Sequence, residues 1–210
     1  MKLAILGATG WIGNHIMEQA VKRGHEVVSL VRDPTKISNS KTSVVSFDLQ
    51  SEQEITPLIR DVEVVIVSVG GRTNDNHQLV AETAQRLMTD LDGSSTRIVW
   101  VGGAGSLEVA PGVTLVSSPE FPEDYKQEAL AQVEALNVFK ASKSNASWTF
   151  VSPAAIIYPG DSEAKYRIGD NTFFTNTDGE SKVSVTDYAI AMVDEAENAA
   201  HLNQHMSIAY

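Results

Sequence analysis

The sequence of 210 residues contains no cysteine. Disulfide bonds, thiolate zinc sites and cysteine nucleophiles are therefore excluded. Basic side chains are scarce as well, because 16 lysines and arginines face 27 aspartates and glutamates, for a formal net charge of −11. Such a surface repels the phosphates of nucleic acids, and no basic cluster offsets it, so we expect neither a nucleic-acid partner nor binding to anionic membranes.

Long apolar runs are also lacking. No segment approaches the ~20 apolar residues that a membrane-spanning helix requires. The first residues have the pattern of a strand, so we expect no signal peptide and a cytoplasmic protein. With 42% hydrophobic residues, the chain has the size and composition of one well-packed α/β domain over residues 1–210.

Strand and helix patterns alternate along the chain. The predicted strands are Lys2–Leu6, Glu26–Val31, Val44–Phe47, Val62–Val67, Arg97–Val101, Trp148–Val151 and an edge strand, Met206–Tyr210. The predicted helices are Ile12–Arg23, Glu52–Arg60, Asp75–Leu91, Glu123–Ser142 and one that begins at Ser184. This alternation predicts a Rossmann-type, doubly wound, mostly parallel sheet with helices on both faces. Residues from about 152 to 182 lose the pattern, and we expect them to form a small cap on the substrate side, with a hairpin near Thr172–Asn176.

Three glycines, Gly7, Gly10 and Gly13, lie between the first predicted strand and the first predicted helix. In that context the first glycine permits a tight turn, the second lets the backbone approach a pyrophosphate, and the third lets the helix pack closely on the sheet. The helix start then offers unpaired N–H groups and a partial positive charge to the anion. We therefore predict a dinucleotide-binding turn made of Gly7, Ala8, Thr9, Gly10, Trp11, Ile12 and Gly13.

The residue that ends the second strand of this fold discriminates between nicotinamide cofactors, since an acidic side chain binds the ribose hydroxyls of NAD and arginine binds the extra phosphate of NADP. Arg32 is the first candidate at that position, and it can form a bidentate pair with a phosphate. Asp33 follows it and could pair with Arg32 or approach the ribose instead. We favour NADP(H) over NAD(H).

Further cofactor contacts are expected where the other strands end, because ligands of open α/β sheets lie beyond the carboxyl ends of the strands. The predicted residues fall in four groups along the chain: Asp48 and Leu49 near the adenine; Ser68, Val69 and Gly70 under the ribose and phosphates; Val101, Gly102 and Gly103 near the nicotinamide; and Ser152, Pro153 and Ala154 near the nicotinamide. No histidine has metal-ligand spacing with carboxylates, so no metal site is predicted.

Several motifs together resemble one protein family. These are Gly-Ala-Thr-Gly-Trp-Ile-Gly at 7–13, Val-Arg-Asp-Pro at 31–34 and Val-Gly-Gly-Ala-Gly-Ser-Leu-Glu-Val at 101–109. They are similar to the atypical short-chain dehydrogenases/reductases of the NmrA-like and biliverdin-reductase-B-like branch, and to its subgroup described as NADH-flavin reductases. The resemblance spans almost the whole chain. It implies a Rossmann fold that binds NADP(H) and transfers hydride to a flavin or another small redox acceptor.

The wider superfamily uses a Tyr-x-x-x-Lys pair that this chain lacks. Tyr125 is followed four positions later by Ala129, and its nearest lysine is the adjacent Lys126. Oxidising an alcohol needs a base, whereas reducing a flavin or quinone needs chiefly a well-placed hydride donor, so the absence favours a reductase. The candidates for catalysis are Ser106 and Tyr125, as hydroxyls near the acceptor, and Lys126, which could reach the cofactor.

Two other functions remain open from the sequence. A redox sensor would bind NADP(H) without turnover and report through a protein partner, and the missing Tyr/Lys pair favours it. A sugar-nucleotide epimerase or dehydratase would share the glycine turn. We disfavour that function, because little chain remains after the sixth predicted strand for a large substrate domain.

Overall fold

The computed structural model describes residues 1–72, 75–163 and 165–210. In those residues the strands are β1 (Lys2–Leu6), β2 (Glu26–Val31), β3 (Thr42–Ser46), β4 (Val64–Val67), β5 (Arg97–Val101), β6 (Glu108–Ala110), β7 (Val113–Thr114), β8 (Trp148–Pro153), β9 (Ile156–Tyr158), β10 (Arg167–Gly169), β11 (Lys182–Ser184) and β12 (Gln204–Ala209). Eight of them form one sheet in the order β10-β12-β8-β5-β4-β1-β2-β3. All neighbours in this sheet are parallel except β10 and β12, which are antiparallel.

Helices cover both faces of the sheet. They are α1 (Trp11–Lys22), α2 (Gln78–Asp90), α3 (Glu123–Ala141) and α4 (Val185–Asn198). Ile16 of α1 and Met192 of α4 are buried in one apolar layer, while Leu87 of α2 and Phe139 of α3 are buried in the other. Side chains of successive strand residues point into opposite layers, as the two-residue period of a strand requires. The predicted fold class, a Rossmann-type doubly wound sheet, is confirmed.

The strand order reverses between β1 and β4. β1 leads into α1 on one face, and β4 leads towards α2 on the other face. The chain therefore diverges at the carboxyl ends of these two strands and leaves a crevice there, which is where ligands of open α/β sheets bind.

The helix predicted over Glu52–Arg60 is wrong. The structure has a single 3₁₀ turn there, Thr56–Leu58, flanked by the buried side chains of Ile55 and Ile59. The spacing of these two isoleucines imitates one turn of an α-helix. Pro57 has no N–H to donate, and its ring disfavours a helical residue before it, so the segment does not extend into a helix.

Two other details of the carboxyl-terminal third differ from the prediction. The hairpin expected over Thr172–Asn176 is wrong, because Thr172 forms a parallel bridge with Glu108 and Asn176 closes a turn with Glu180. The last strand, β12, is not an edge strand, because β10 covers its outer side. The bridge of Thr172 to Glu108 and the pairing of β10 with β12 join distant parts of the chain, which local patterns do not report.

The segment after β8 is held by contacts with α4. β9 and β11 form a separate parallel pair. The buried carboxylate of Asp187 accepts a hydrogen bond from the Ser162 hydroxyl at 2.5 Å and one from the Glu163 N–H at 2.9 Å. The role of residues from about 152 to 182 as a cap on the substrate side stays a prediction.

Within the ranges given above, no helix has both the length and the apolar character needed to cross a membrane.

Candidate functional site

The turn from Gly7 to Gly13 is closely packed between β4 and α1. Gly7 has a φ of +88°, and a Cβ added there would overlap the carbonyl oxygen of Ser68 at the end of β4. A Cβ added at Gly13 would overlap the carbonyl oxygen of Gly7. Only glycine fits these two positions, because one requires the left-handed backbone and both lie against another backbone.

The first turn of α1 has the features of an anion site. Its N-cap is Gly10, and among the described residues no side chain caps the helix and no acidic residue occupies its first turn. Thr9 and Gly10 are exposed, and Trp11 is 44% exposed, whereas Ala8 is buried. Ile12 is partly buried against the core. The unpaired N–H groups and the positive end of the helix dipole fit a pyrophosphate at this turn.

Arg32 lies exposed just after β2, and it has no hydrogen bond or ion pair with another described residue. Asp33 does not pair with it. Instead, one carboxylate oxygen of Asp33 accepts hydrogen bonds from the Thr35 hydroxyl at 2.6 Å and the Thr35 N–H at 3.1 Å. These bonds and the charge of Lys36 hold the pKa of Asp33 below its ordinary value. The geometry therefore leaves the guanidinium of Arg32 available to an anion.

The residues after β3 form a tightly bonded turn. Asp48 accepts a hydrogen bond from the Gln50 N–H at 3.0 Å, and Leu49 packs against the core. Arg86 of α2, which sequence reasoning missed, lies 5.4 Å from the ring centre of Phe47 and donates to the Ser51 carbonyl at 3.2 Å. This arrangement fixes the wall that the sequence predicts for the adenine.

Gln132 of α3 supports the residues that follow β4. Its side-chain N–H₂ donates to the carbonyl of Val69 at 3.2 Å, and its side-chain oxygen accepts from the indole N–H of Trp100 at 3.0 Å. The Ser68 N–H donates to the carbonyl of Leu6 at 2.8 Å. Both ends of this short segment are thus tied to neighbouring elements.

Glu128 lies one helical turn before Gln132 and anchors the next part of the same loop. One of its carboxylate oxygens accepts from the N–H groups of Gly71 at 2.9 Å and Arg72 at 3.1 Å. A Cβ added at Gly70 would lie 2.8 Å from its other oxygen. Glu128 and Gln132 are four residues apart and therefore share one face of the helix. Two polar residues on this alanine-rich face were the sequence signal that could have identified them.

The ends of β5 and β8 are packed together. A Cβ added at Gly102 would overlap the ring of Phe150. Val101, Ser152 and Ala154 are buried, and Pro153 pairs with Ile208 of β12. The predicted residues at these strand ends therefore border the crevice through their backbone more than through their side chains.

Ser106, the first candidate for catalysis, is buried in a polar cluster. Its hydroxyl lies 2.8 Å from the Gly103 carbonyl oxygen, 3.0 Å from the Ser152 hydroxyl and 3.3 Å from Nε2 of His205. His205, another residue that the sequence did not identify, is 8% exposed, and burial together with Lys140 lowers its pKa to about 4. The burial of Ser106 weighs against direct contact between its hydroxyl and an acceptor.

Tyr125 and Lys126 lie in the first turns of α3. Tyr125 is 54% exposed, and the guanidinium of Arg72 lies 4.6 Å from its ring centre. Lys126 forms an ion pair with Glu123 at 3.1 Å. In the parts of the chain that the structure describes, no hydrogen bond joins Ser106 to either residue.

Together, the doubly wound sheet, the glycine turn and the uncapped helix define a nucleotide-binding Rossmann-type protein. The sequence model of the NAD(P)H-binding family matches residues 7–198. The chain therefore belongs to that family.

Three relatives match the chain over almost their whole length. The chain is 37% identical to the uncharacterized protein YwnB of Bacillus subtilis (strain 168) over 215 residues, which covers 99% of this chain and 98% of YwnB. A solved structure from Streptococcus pneumoniae TIGR4, provisionally named an NADH-flavin reductase, has a TM-score of 0.90 and 37% identity and covers 100% of this chain and 99% of that one. A protein of Bacteroides thetaiotaomicron, provisionally named an epimerase, has a TM-score of 0.88 and 33% identity, with coverages of 100% and 96%.

Proposed function

We propose that the protein is an NADPH-dependent reductase that transfers hydride to a flavin or a similar small redox acceptor. The observation that carries the proposal is the turn from Gly7 to Gly13, where two backbone contacts exclude any side chain and an uncapped helix start faces the crevice. This turn fits a dinucleotide. The similarity to the Streptococcus pneumoniae protein supports the choice of a flavin as acceptor.

The preference for NADP(H) rests on Arg32. Its guanidinium is exposed and unpaired among the described residues, while Asp33, which would disfavour a phosphate, bonds to Thr35. Dissociation constants for NADPH and NADH, measured before and after Arg32→Ala, test this preference. We expect the affinity for NADPH to fall at least tenfold and that for NADH to change little, because a phosphate contact is lost. Equal losses for both cofactors would remove the phosphate role of Arg32.

When bound, the reduced nicotinamide supplies a hydride, which carries two electrons and one proton to the acceptor. The chain itself must bind the pyrophosphate at the glycine turn and orient the nicotinamide near the Gly102–Gly103 backbone. The reduced acceptor needs one further proton. Because the hydroxyl of Ser106 is buried and bonded, we assign that proton to solvent water, which can protonate a flavin nitrogen without a protein acid.

A direct assay tests the reductase. Purified protein is mixed with NADPH and, separately, with FMN, FAD, riboflavin or a quinone, and the loss of absorbance at the nicotinamide band is followed. We expect acceptor-dependent oxidation with at least one flavin, and none after Gly13→Ala. Tight binding of NADPH without oxidation by any acceptor in the panel would refute the reductase.

That same outcome would support the second function, a redox sensor that binds NADP(H) and reports through a protein partner. The observation that favours a sensor is that Ser106 is buried and has no hydrogen bond to Tyr125 or Lys126 in the described chain. An epimerase is the weaker alternative despite the provisional name of the Bacteroides thetaiotaomicron protein. Such a reaction needs a base beside the substrate carbon, and the sequence contains no Tyr-x-x-x-Lys pair. The expected cytoplasmic location stays a prediction.

A further inference from the structure

A buried polar cluster lies behind the backbone turn that ends β5. It consists of His205, Ser152, Ser106 and the carbonyl of Gly103. Nε2 of His205 lies 2.8 Å from the Ser152 hydroxyl. The Gly103 carbonyl oxygen accepts from the Ser152 hydroxyl at 3.0 Å, the Ser106 hydroxyl at 2.8 Å and the Ser106 N–H at 3.2 Å. Three donors therefore hold one carbonyl.

The hydrogen count selects one form of the imidazole. Nδ1 of His205 is buried and has no hydrogen-bond partner among the described residues. If Nδ1 carried the hydrogen, a buried N–H would be left without an acceptor, which is rarer than a bare acceptor. If Nε2 carries it, the imidazole donates to Ser152, and both serine hydroxyl hydrogens remain available to the Gly103 carbonyl, which they share with the Ser106 N–H. The neutral form with hydrogen on Nε2 therefore satisfies every donor in the cluster.

We propose that His205 is a positioning residue for the nicotinamide. Acting through the Ser152 hydroxyl, it fixes the peptide plane of Gly103 and thereby the backbone on which we expect the nicotinamide ring to lie. This inference rests on the proposed function. His205 lies beside Ser152 because its strand, β12, is paired with β8. The ring of Phe150 packs edge-on to the imidazole, with ring centres 5.3 Å apart.

Three variants separate the hydrogen bond from the shape of the side chain. His205→Phe keeps an aromatic ring but removes the donor, His205→Gln keeps a side-chain N–H that reaches the position of Nε2, and Ser152→Ala removes the relay with little loss of volume. His25→Gln is the matched control, because this histidine lies just before β2 and bonds Glu197 of α4, and among the described residues no hydrogen bond connects it to the cluster. Circular dichroism first shows whether each variant is folded.

The measurements are the NADPH dissociation constant, the single-turnover rate of NADPH oxidation by FMN, and the imidazole nitrogen shifts in NMR spectra. We expect His205→Phe and Ser152→Ala to lower the single-turnover rate about five- to tenfold, and to raise the NADPH dissociation constant about threefold, as the loss of one buried hydrogen bond predicts. His205→Gln should restore both quantities to within twofold of the wild type. The double variant His205→Phe/Ser152→Ala should be no worse than either single variant, because both act through one contact.

The imidazole nitrogen shifts in NMR spectra test the hydrogen bonding of the cluster without requiring turnover. We expect hydrogen on Nε2 of His205 in the free protein and a change in its signals, but not in those of His25, when NADPH is added. Three results would overturn the proposal: hydrogen on Nδ1, wild-type kinetics and affinity in Ser152→Ala, or a His205→Gln variant as impaired as His205→Phe. If His205→Phe does not fold, Ser152→Ala decides the matter alone.

Failure of the proposed function gives a different pattern. None of the acceptors would then support oxidation of NADPH by the wild type, while the dissociation constants and the imidazole signals would still test His205. A wild-type protein that turns over, with variants that match it in every measurement, would refute the positioning role and leave the reductase intact.

Discussion

Asp33 accepts hydrogen bonds from both the hydroxyl and the backbone N–H of Thr35, two residues further along the chain. The carboxylate thereby caps the short 3₁₀ turn Pro34–Lys36. An acidic residue directly after Arg32 leaves the cofactor preference ambiguous from the sequence. The bonds to Thr35 hold the Asp33 carboxylate within the Pro34–Lys36 turn, so Arg32 remains available to a phosphate. This arrangement supports NADP(H) and leads to the first prediction.

Thr35→Val should weaken the preference for NADPH over NADH. The valine keeps the size of the side chain and the backbone N–H but removes the hydroxyl, so the carboxylate of Asp33 becomes freer to approach the ribose and repel a phosphate. We expect the ratio of the NADH to the NADPH dissociation constant to fall roughly two- to fivefold, in line with the loss of one exposed hydrogen bond. Thr35→Ser retains the hydroxyl and should keep the wild-type ratio. An unchanged ratio in Thr35→Val would show that Asp33 does not influence the choice.

Gly13→Ala should abolish NADPH binding and destabilise the fold. The added Cβ would overlap the carbonyl oxygen of Gly7, so α1 would have to move away from the turn. We expect the melting temperature to fall by roughly 5 °C or more, which corresponds to a few kcal/mol for a chain of this length. Gly10→Ala is the matched variant, since its Cβ would lie 3.3 Å from the same oxygen, and it should be milder in both measurements. Equal effects of the two variants would contradict the packing argument.

Glu128→Ala should weaken NADPH binding by loosening the loop after β4. The change leaves the N–H groups of Gly71 and Arg72 without their acceptor. We expect the dissociation constant to rise roughly three- to tenfold, as measured by the quenching of protein fluorescence. Glu134→Ala, on the exposed face of the same helix, should leave binding unchanged. If both variants bind NADPH like the wild type, Glu128 does not hold the loop for the cofactor.

His205 should make the stability of the protein depend on pH between about 6.5 and 4. Burial lowers its folded-state pKa to about 4 from an ordinary value of 6.5, so within this window the unfolded state binds a proton that the folded state does not. Stability therefore falls as the pH falls, by up to about 3 kcal/mol at pH 4 for this group alone. Urea unfolding of the wild type and His205→Gln should show the difference. A free-energy gap between the two proteins that stays constant from pH 7 to pH 4 would rule this out.

Local signals were sufficient for most of the fold. β1, β2 and β5 have the predicted bounds, because alternating or continuous apolar residues are flanked by clear turn residues. The helix expected around Pro57 fails, because two isoleucines four apart also fit a buried 3₁₀ turn. The position of β12 inside the sheet depends on β10, a strand of three residues whose own sequence carries little strand character.

In the candidate site as well, features that depend on neighbouring residues were predictable, and features that depend on distant contacts were not. The glycine turn was predictable, because the glycines are adjacent in sequence to the strand and helix that give them meaning. Gln132 and Glu128 were not identified, because their partners lie more than 50 residues away in the loop after β4. Ser106 was chosen for its place after β5, yet only the packing of β8 and β12 around it reveals that its hydroxyl is buried.

By itself, the sequence determined the doubly wound class, the nucleotide-binding turn and the absence of cysteine chemistry, since all three depend on residue types and on spacings within one strand–turn–helix unit. The tertiary structure decided which polar groups are free to act. It left the guanidinium of Arg32 exposed and buried Ser106 against Ser152 and His205. Those outcomes depend on contacts between distant segments, whose hydrogen bonds form only when the sheet and its helices are assembled.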